Sequence, residues 1–179
     1  MKQFIVLLRG INVGGKNSLP MKHLSSLLMA MGCSEVKTYI QSGNVSLFHQ
    51  SENAELLASE IKANINSKFG FNINVMAFTA ESFSDLANSN PFKNAELEPK
   101  TLHVYFLAKP AASADLQSLM GLKAASETFE LLGTAFYLHA PDGIGRSKLA
   151  AKVEKYLGVA ATARNWNTVS KLLSMTDIK

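Results

Sequence analysis

The run Phe4-Ile5-Val6-Leu7-Leu8 constrains this chain more than any other feature, because five consecutive apolar residues give a strand no polar face to turn toward water. A second largely apolar run, Leu102 to Leu107, opens the later half of the sequence. Both strands require cover on both sides. With 179 residues, 47% of them hydrophobic, the chain has enough apolar surface to supply that cover, in one large domain or two small ones.

The periodicity around each run repeats one layout. Gln3 to Leu8 reads as a strand. Pro20 to Met31 reads as a helix with Met21, Leu24, Leu27, Leu28 and Met31 on one face, and proline suits its start because the missing N–H would be unbonded there. Val36 to Ile40 and Val45 to Phe48 are expected as strands around the turn Gln41-Ser42-Gly43-Asn44, in which Gly43 and Asn44 tolerate positive φ. Ser51 is the expected cap of a helix running to about Phe69, with Leu57, Ile61 and Ile65 at four-residue spacing, and Phe71 to Phe78 follows as a strand. The order βαββαβ is the ferredoxin-like arrangement.

Residues 80–99 hold a short helix, about Ala80 to Asn88, then Asn90-Pro91 and a polar stretch. From Thr101 the layout begins again: a strand to Leu107, a helix near Ser113 to Met120, and strands Thr128 to Leu132 and Ala135 to His139 around Gly133. A helix from Ser147 to Leu157, a strand at Val159 to Ala163 and a terminal helix capped by Asn165 complete it. The expectation is an α+β protein: a ferredoxin-like subdomain over 1–79, an acidic connector over 80–99, and a second ferredoxin-like subdomain with an extra terminal helix over 100–179. Helices cover one side of each sheet, so the other sides are expected to cover one another or to meet a second copy in a homodimer.

Net charge is +4, distributed as 7 basic and 4 acidic residues over 1–79, 1 and 4 over 80–99, and 10 and 6 over 100–179. Two mildly basic halves flank an acidic segment, a balance that permits an anionic ligand without demanding one. The apolar stretch at Phe4 to Leu8 is shorter than the roughly 7–15 residues of a secretion signal, and no apolar run approaches the roughly 20 residues that cross a bilayer. Cys33 is the lone cysteine, which excludes an internal disulfide and a multi-cysteine zinc site. A cytoplasmic protein without membrane partners is expected, with Cys33 as a buried structural thiol.

The topology gathers the glycines and asparagines at sheet edges. In a βαββαβ unit with right-handed crossovers, the end of the first strand and the hairpin between the second and third share an edge. Arg9, Gly10, Asn12, Gly14, Gly15, Lys16 and Asn17 are thus expected beside Gln41, Ser42 and Asn44. By the same rule, Gly143, Gly145 and Arg146 belong near Arg164, Asn165, Trp166 and Asn167. A glycine-rich loop after a strand can turn backbone N–H groups toward an anion, with Arg9 and Lys16 supplying charge, or it can simply turn the chain.

Four segments, LLRGINVGGKN at 7–17, YIQSGNV at 39–45, RSKL at 146–149 and TARNWNTV at 162–169, together resemble the uncharacterised bacterial family known as domain of unknown function 1697. The resemblance spans nearly the whole chain. It implies a pair of ferredoxin-like subdomains and places Arg9, Gly10, Asn12, Gly14, Lys16, Gln41, Ser42, Gly43, Asn44, Arg164, Asn165, Trp166 and Asn167 on the family's signature positions. It implies no established activity and supplies no catalytic residues.

Other chemistries are poorly supported. Gly10 to Asn17 approaches a P-loop, but Asn17 stands where a magnesium-binding hydroxyl is needed. Gly143-Ile144-Gly145 begins a dinucleotide fingerprint that Lys148 breaks. Lys148, Lys152 and Lys155 share a helical face that is either solvated or a phosphate stripe, while Trp166 with Val169, Leu172 and Leu173 reads as core. The four histidines lack metal-ligand spacing, so neither metal nor cofactor is expected, and the third strand lacks the aromatic pattern of RNA-recognition modules. Three readings follow. The first is a phosphate-bearing ligand, a nucleotide or nucleic acid, bound by the residues named above at an edge or between the halves. The second is an enzyme on a small polar metabolite, with His103 or Tyr39 as its titratable group. The third is an interaction module whose glycine and asparagine edges are structural.

Overall fold

The computed structural model describes Met1 to Ile178. Its first sheet is built from β1 (Lys2–Arg9), β2 (Ser34–Tyr39), β3 (Asn44–His49) and β4 (Asn74–Thr79) in the order β2-β3-β1-β4, with α1 (Met21–Ala30) and α2 (Ala54–Phe69) as crossovers. Every pairing is antiparallel, which is the ferredoxin-like topology. The apolar run lies on the central strand, paired to β3 on one side and β4 on the other. Phe4, Val6 and Leu8 enter a core with Leu24 and Leu28 of α1 and Leu57, Ile61 and Ile65 of α2. Ile5 and Leu7, which alternate to the other face, are also fully buried.

Local chemistry sets the helix ends. Asn53 caps α2, its Oδ1 accepting the Leu56 N–H at 3.0 Å. Ser51, the expected cap, sits earlier and accepts the Asn53 N–H instead. At the other end Gly70 adopts the left-handed conformation, φ 73°, and donates to the Asn66 carbonyl at 2.8 Å.

The second sheet repeats the plan with β5 (Leu102–Leu107), β6 (Thr128–Leu132), β7 (Ala135–His139) and β8 (Ala161–Asn165), ordered β6-β7-β5-β8 and antiparallel throughout. Between the sheets in sequence lie α3 (Ala80–Asn88) and a 3-10 turn at Lys93–Leu97. Tyr105, Leu107, Phe136 and Leu138 meet Leu119 of α4 (Leu116–Leu122) and Val153 and Leu157 of α5 (Val153–Leu157) in a second core. α6 (Trp166–Leu173) follows β8 directly. By packing, the chain divides into one unit of Met1–Asp85 together with the described residues from Lys171 on, and another of Leu86–Ser170. The divisions fall inside α3 and α6.

Several elements depart from the sequence reading, β4 starting at Asn74 rather than Phe71 and β2 at Ser34 rather than Val36 among them. α4 starts at Leu116 rather than near Ser113, because Asp115 supplies the cap by accepting the Ser118 N–H at 2.9 Å. The helix expected from Ser147 to Leu157 is broken into 3-10 turns at Ile144–Arg146 and Ala150–Lys152 before α5. Ser147 Oγ takes the Ala150 N–H at 2.9 Å and the Lys152 N–H reaches only three residues back, to Leu149, so Lys148, Lys152 and Lys155 do not ride on one helix. β8 begins two residues later than Val159, where the Glu154 carboxylate accepts the Ala161 N–H at 2.9 Å.

At the β2–β3 turn the positive φ values belong to Ile40 (49°) and Gly43 (77°), while Asn44 is already in the strand. A Cβ on Gly43 would lie 2.5 Å from Leu8 Cβ and 3.0 Å from Ile11 Cδ1. Gly43→Ala is therefore expected to destabilise by roughly 2–6 kcal/mol, combining left-handed strain with overpacking. Gly70→Ala, with open space at its Cβ, should cost only about 1–2 kcal/mol. Denaturant titration of the two variants checks the contrast; equal losses would mean that Leu8 yields to the added carbon.

Candidate functional site

The edge at the end of β1 is shaped by a small excursion before α1. Val13 and Lys16 form an isolated antiparallel bridge, with the Lys16 N–H bonded to the Val13 carbonyl at 3.0 Å. Between them Gly14 and Gly15 have φ of 58° and 73°. Two positive values make this a tight type I′ hairpin turn, which favours glycine at both positions. Val13, Gly14, Gly15 and Lys16 are all exposed, so the turn is the tip of a finger. A P-loop would lead straight into its helix, but here α1 begins only after Pro20, with no side-chain cap.

Asn12 holds the finger in place. Its Nδ2 donates to the carbonyls of Leu19 at 2.9 Å and Gln41 at 2.8 Å, and its Oδ1 accepts the Leu19 N–H at 2.7 Å. The Asn12 N–H also bonds the Asn17 carbonyl at 3.1 Å, and Asn17 Nδ2 donates to the Gly10 carbonyl at 2.7 Å. Both asparagines have positive φ, 54° and 49°, a conformation their side chains tolerate better than most. Gly10, at φ 85°, opens the excursion.

The finger and the β2–β3 turn are neighbours, as the topology requires. Besides the Asn12 bond to Gln41, the Leu8 N–H reaches the Gly43 carbonyl at 2.8 Å. Asn44 is fully buried and its Nδ2 donates to the Tyr39 carbonyl at 3.1 Å and to Ser42 Oγ at 2.9 Å. The carboxamides of Asn12, Asn17 and Asn44 thus bind protein atoms. Arg9, Gly14, Gly15, Lys16 and Gln41 are the candidate residues that this edge exposes along with Gly10, and Ser42 is half-buried.

Arg146, Arg164 and Asn167 belong to the second unit. There Leu102 pairs with His139 and His103 with Asn165, so the loop after β7 and the segment after β8 leave from strands on either side of β5. Gly143, at φ 94°, donates to the Ala140 carbonyl at 3.0 Å and accepts the Arg146 N–H at 3.2 Å, leaving Arg146 exposed. Arg164 is half-buried, with Nη1 on the Ala163 carbonyl at 2.9 Å. Asn165 caps α6 through the Thr168 N–H at 3.1 Å and Trp166 is 7% exposed, both as read from the sequence.

The titratable candidates differ in environment. Cys33 is buried, and burial first and Glu60 second push its thiol up to about 11, which suits a structural thiol. His103 is buried and its Nδ1 has no hydrogen-bond partner. Burial holds its pKa below the ordinary value, opposed by a hydrogen bond to the Thr101 backbone. Tyr39 ends β2, and its carbonyl receives Asn44. Among the described residues no three His, Cys, Asp or Glu side chains form a group able to hold a metal ion, and no helix is long and apolar enough to cross a membrane. The exposed Val13 (67%) and Ile40 (51%) escaped the sequence reading, since an apolar residue in a loop gives no local sign of whether it is covered.

Residues 1–137 match the model of a family described as "Protein of unknown function (DUF1697)". The chain belongs to the DUF1697 family. The match takes in the finger and the β2–β3 turn and ends at Tyr137, ahead of the segments at 146–149 and 162–169. A solved structure of the conserved bacterial protein SP0830 from Streptococcus pneumoniae is 21% identical, with a TM-score of 0.72 over 97% of this chain and 98% of that one. That likeness is one of fold. No curated protein matches the sequence.

Two outcomes follow for this DUF1697 chain. Asn12→Ala removes three side-chain hydrogen bonds and should destabilise by roughly 1–3 kcal/mol, with faster amide exchange at Leu19; unchanged exchange there would show that the finger holds without Asn12. Because the folded pKa of His103 is depressed, its contribution to stability is complete above the unfolded value near 6.5 and declines as pH falls below it. Denaturation midpoints across that range, for the native chain and His103→Gln, should converge on acidification.

Proposed function

We propose that this protein is a cytoplasmic binding protein for a phosphate-bearing ligand, a nucleotide or nucleic acid, and that the finger of the first unit is its grip. Lys16 and Arg9 supply charge, the exposed amides of Gly14 and Gly15 approach phosphate oxygens, and Gln41 and Ser42 orient the remainder of the ligand. The observation that carries this reading is the three-bond hold of Asn12 on Leu19 and Gln41, which sets the base of the finger whose exposed tip carries Gly14, Gly15 and Lys16. A preorganised loop avoids the ordering cost that weakens binding by flexible segments. The same criterion, a cation beside a glycine turn, proposes Arg146 with Arg164 and Asn167 as phosphate contacts of the second unit.

A second reading rests on Val13 and Ile40, exposed on the same edge. Apolar side chains flanking a rigid turn suit a protein partner, a second copy included. Salt separates the two, since phosphate contacts weaken steeply with ionic strength and apolar ones do not.

Thermal stabilisation by nucleotides, sugar phosphates and short RNA or DNA tests the first reading. Lys16→Ala should weaken the strongest hit about tenfold, the equivalent of one charge-assisted hydrogen bond, without lowering the melting temperature of the free protein. Arg9→Ala should act in the same direction. A panel without hits, or hits indifferent to both substitutions, removes the finger as the site.

A further inference from the structure

An outer strand commits alternate backbone groups to its sheet, and parity decides which residues of β4 keep theirs free. The Leu8 N–H bonds the Gly43 carbonyl, and these two residues continue the β1–β3 register. Phe4, Val6 and Leu8 therefore turn their backbone groups to β3. Ile5, Leu7 and Arg9 turn theirs to β4, where they stand opposite Phe78, Met76 and Asn74. Val75, Ala77 and Thr79 are left with backbone N–H groups directed away from the sheet, because β4 is its last strand. Among the described residues no hydrogen bond reaches the backbone of Val75 or Ala77, and both residues are only half-buried.

β8 holds the same place in the second sheet, and there the outward groups are occupied. The Leu107 N–H bonds the Thr134 carbonyl as Leu8 bonds Gly43, so Leu107 matches Leu8, and their strand partners Ala161 and Val75 match in turn. By the same parity Ala161 and Ala163 face outward. The Glu154 carboxylate accepts the Ala161 N–H at 2.9 Å, and Arg164 Nη1 donates to the Ala163 carbonyl at 2.9 Å. The other outer strands are protected differently. β2 shifts register between Ser34 and Lys37, with Glu35 at φ 47°, and β6 carries Glu130 at its middle. Charges and irregularities of this kind deter edge-to-edge pairing. β4 has neither: its register with β1 is unbroken, and residues 70–80 contain no charged side chain and no proline.

We propose that β4 is the contact strand of a homodimer, pairing antiparallel with β4 of a second copy about a two-fold axis at Ala77 and joining two four-stranded sheets into one. In that register Ala77 exchanges reciprocal N–H···O=C bonds with Ala77 of the partner subunit, and the Thr79 N–H meets the carbonyl of the partner's Val75. The occupant is a second copy because the strand is complementary to itself. Its outward groups match under the two-fold, Met76 stands opposite the partner's Phe78, and no like charges meet. The symmetry also closes the contact, so pairing stops at two chains. A contact built on one short strand lies below the roughly 1,200 Å² of a standard interface, which makes a weak dimer that forms and parts with concentration.

Sedimentation velocity of the full chain from about 10 μM to about 1 mM should show a shift from monomer to dimer and no larger species. Amide exchange read by NMR over the same range reports the register. The Ala77 N–H should slow about tenfold or more at the high end, the equivalent of one new backbone bond, while Met76 and Phe78, already bonded to β1, keep their rates. Ala77→Pro removes the outward donor without taking a bond from β1. It should stay monomeric at about 1 mM, the upper concentration of the native chain's series, with β1 and β3 amides still protected. Should that variant fail to fold, the concentration dependence of Ala77 exchange in the native chain decides alone. A native chain that is monomeric throughout overturns the proposal, as does a dimer in which Ala77 exchange does not slow. So does a folded Ala77→Pro that still dimerises, and so do assemblies that keep growing with concentration.

Discussion

The central strand of each sheet is buried on both faces and paired on both sides, and the positions of the other elements follow from that. β1 places Phe4, Val6 and Leu8 against α1 and α2 and still buries Ile5 and Leu7 on the opposite face. Non-directional burial of this kind sets which strand must be central. Backbone pairing then decides what stands next to its end: β3 and β4 flank β1, and the β2–β3 turn comes within hydrogen-bond reach of Leu8. The candidate edge is a consequence of the central strand.

The two units solve the same problem and then diverge. In the first, the Leu8 N–H is tied to the Gly43 carbonyl at 2.8 Å; at the equivalent place in the second, the Leu107 N–H is tied to the Thr134 carbonyl at 2.9 Å. Each central strand is thus fastened to the turn of its neighbouring hairpin. After this shared feature the first unit inserts a finger stiffened by Asn12, while the second proceeds from Ala108 to an Asp115 cap whose N–H bonds the Tyr156 carbonyl at 2.7 Å. Only the first inserts paired positive-φ glycines at an exposed tip between its central strand and the following helix.

Much of this plan was legible in residue order. The strands Thr128–Leu132 and Ala135–His139 and the helix Ala80–Asn88 fall where apolar alternation and helical spacing put them. Three of the misplacements share a cause. Ser147, Asp115 and Glu154 each bind a backbone N–H close by in sequence and thereby break, delay or shift an element whose apolar spacing alone would run on. Such local side-chain bonds compete with regular structure without altering the hydrophobic pattern. The candidate edge was legible as a gathering of glycine, asparagine and charge, but composition could not say which amides faced outward.

Sequence by itself determined the order and type of the elements and the need to bury both faces of Phe4 to Leu8, because burial acts on each residue according to its own side chain and its spacing from the next. Tertiary structure decided which polar groups were already occupied. Asn12 satisfies Leu19 and Gln41, Asn44 satisfies Tyr39, and Gln3 satisfies Met175 and Asp177 near the far end of the chain. A hydrogen bond is directional and needs its partner at about 3 Å. Partners so remote in sequence come within that distance only when the whole chain has folded.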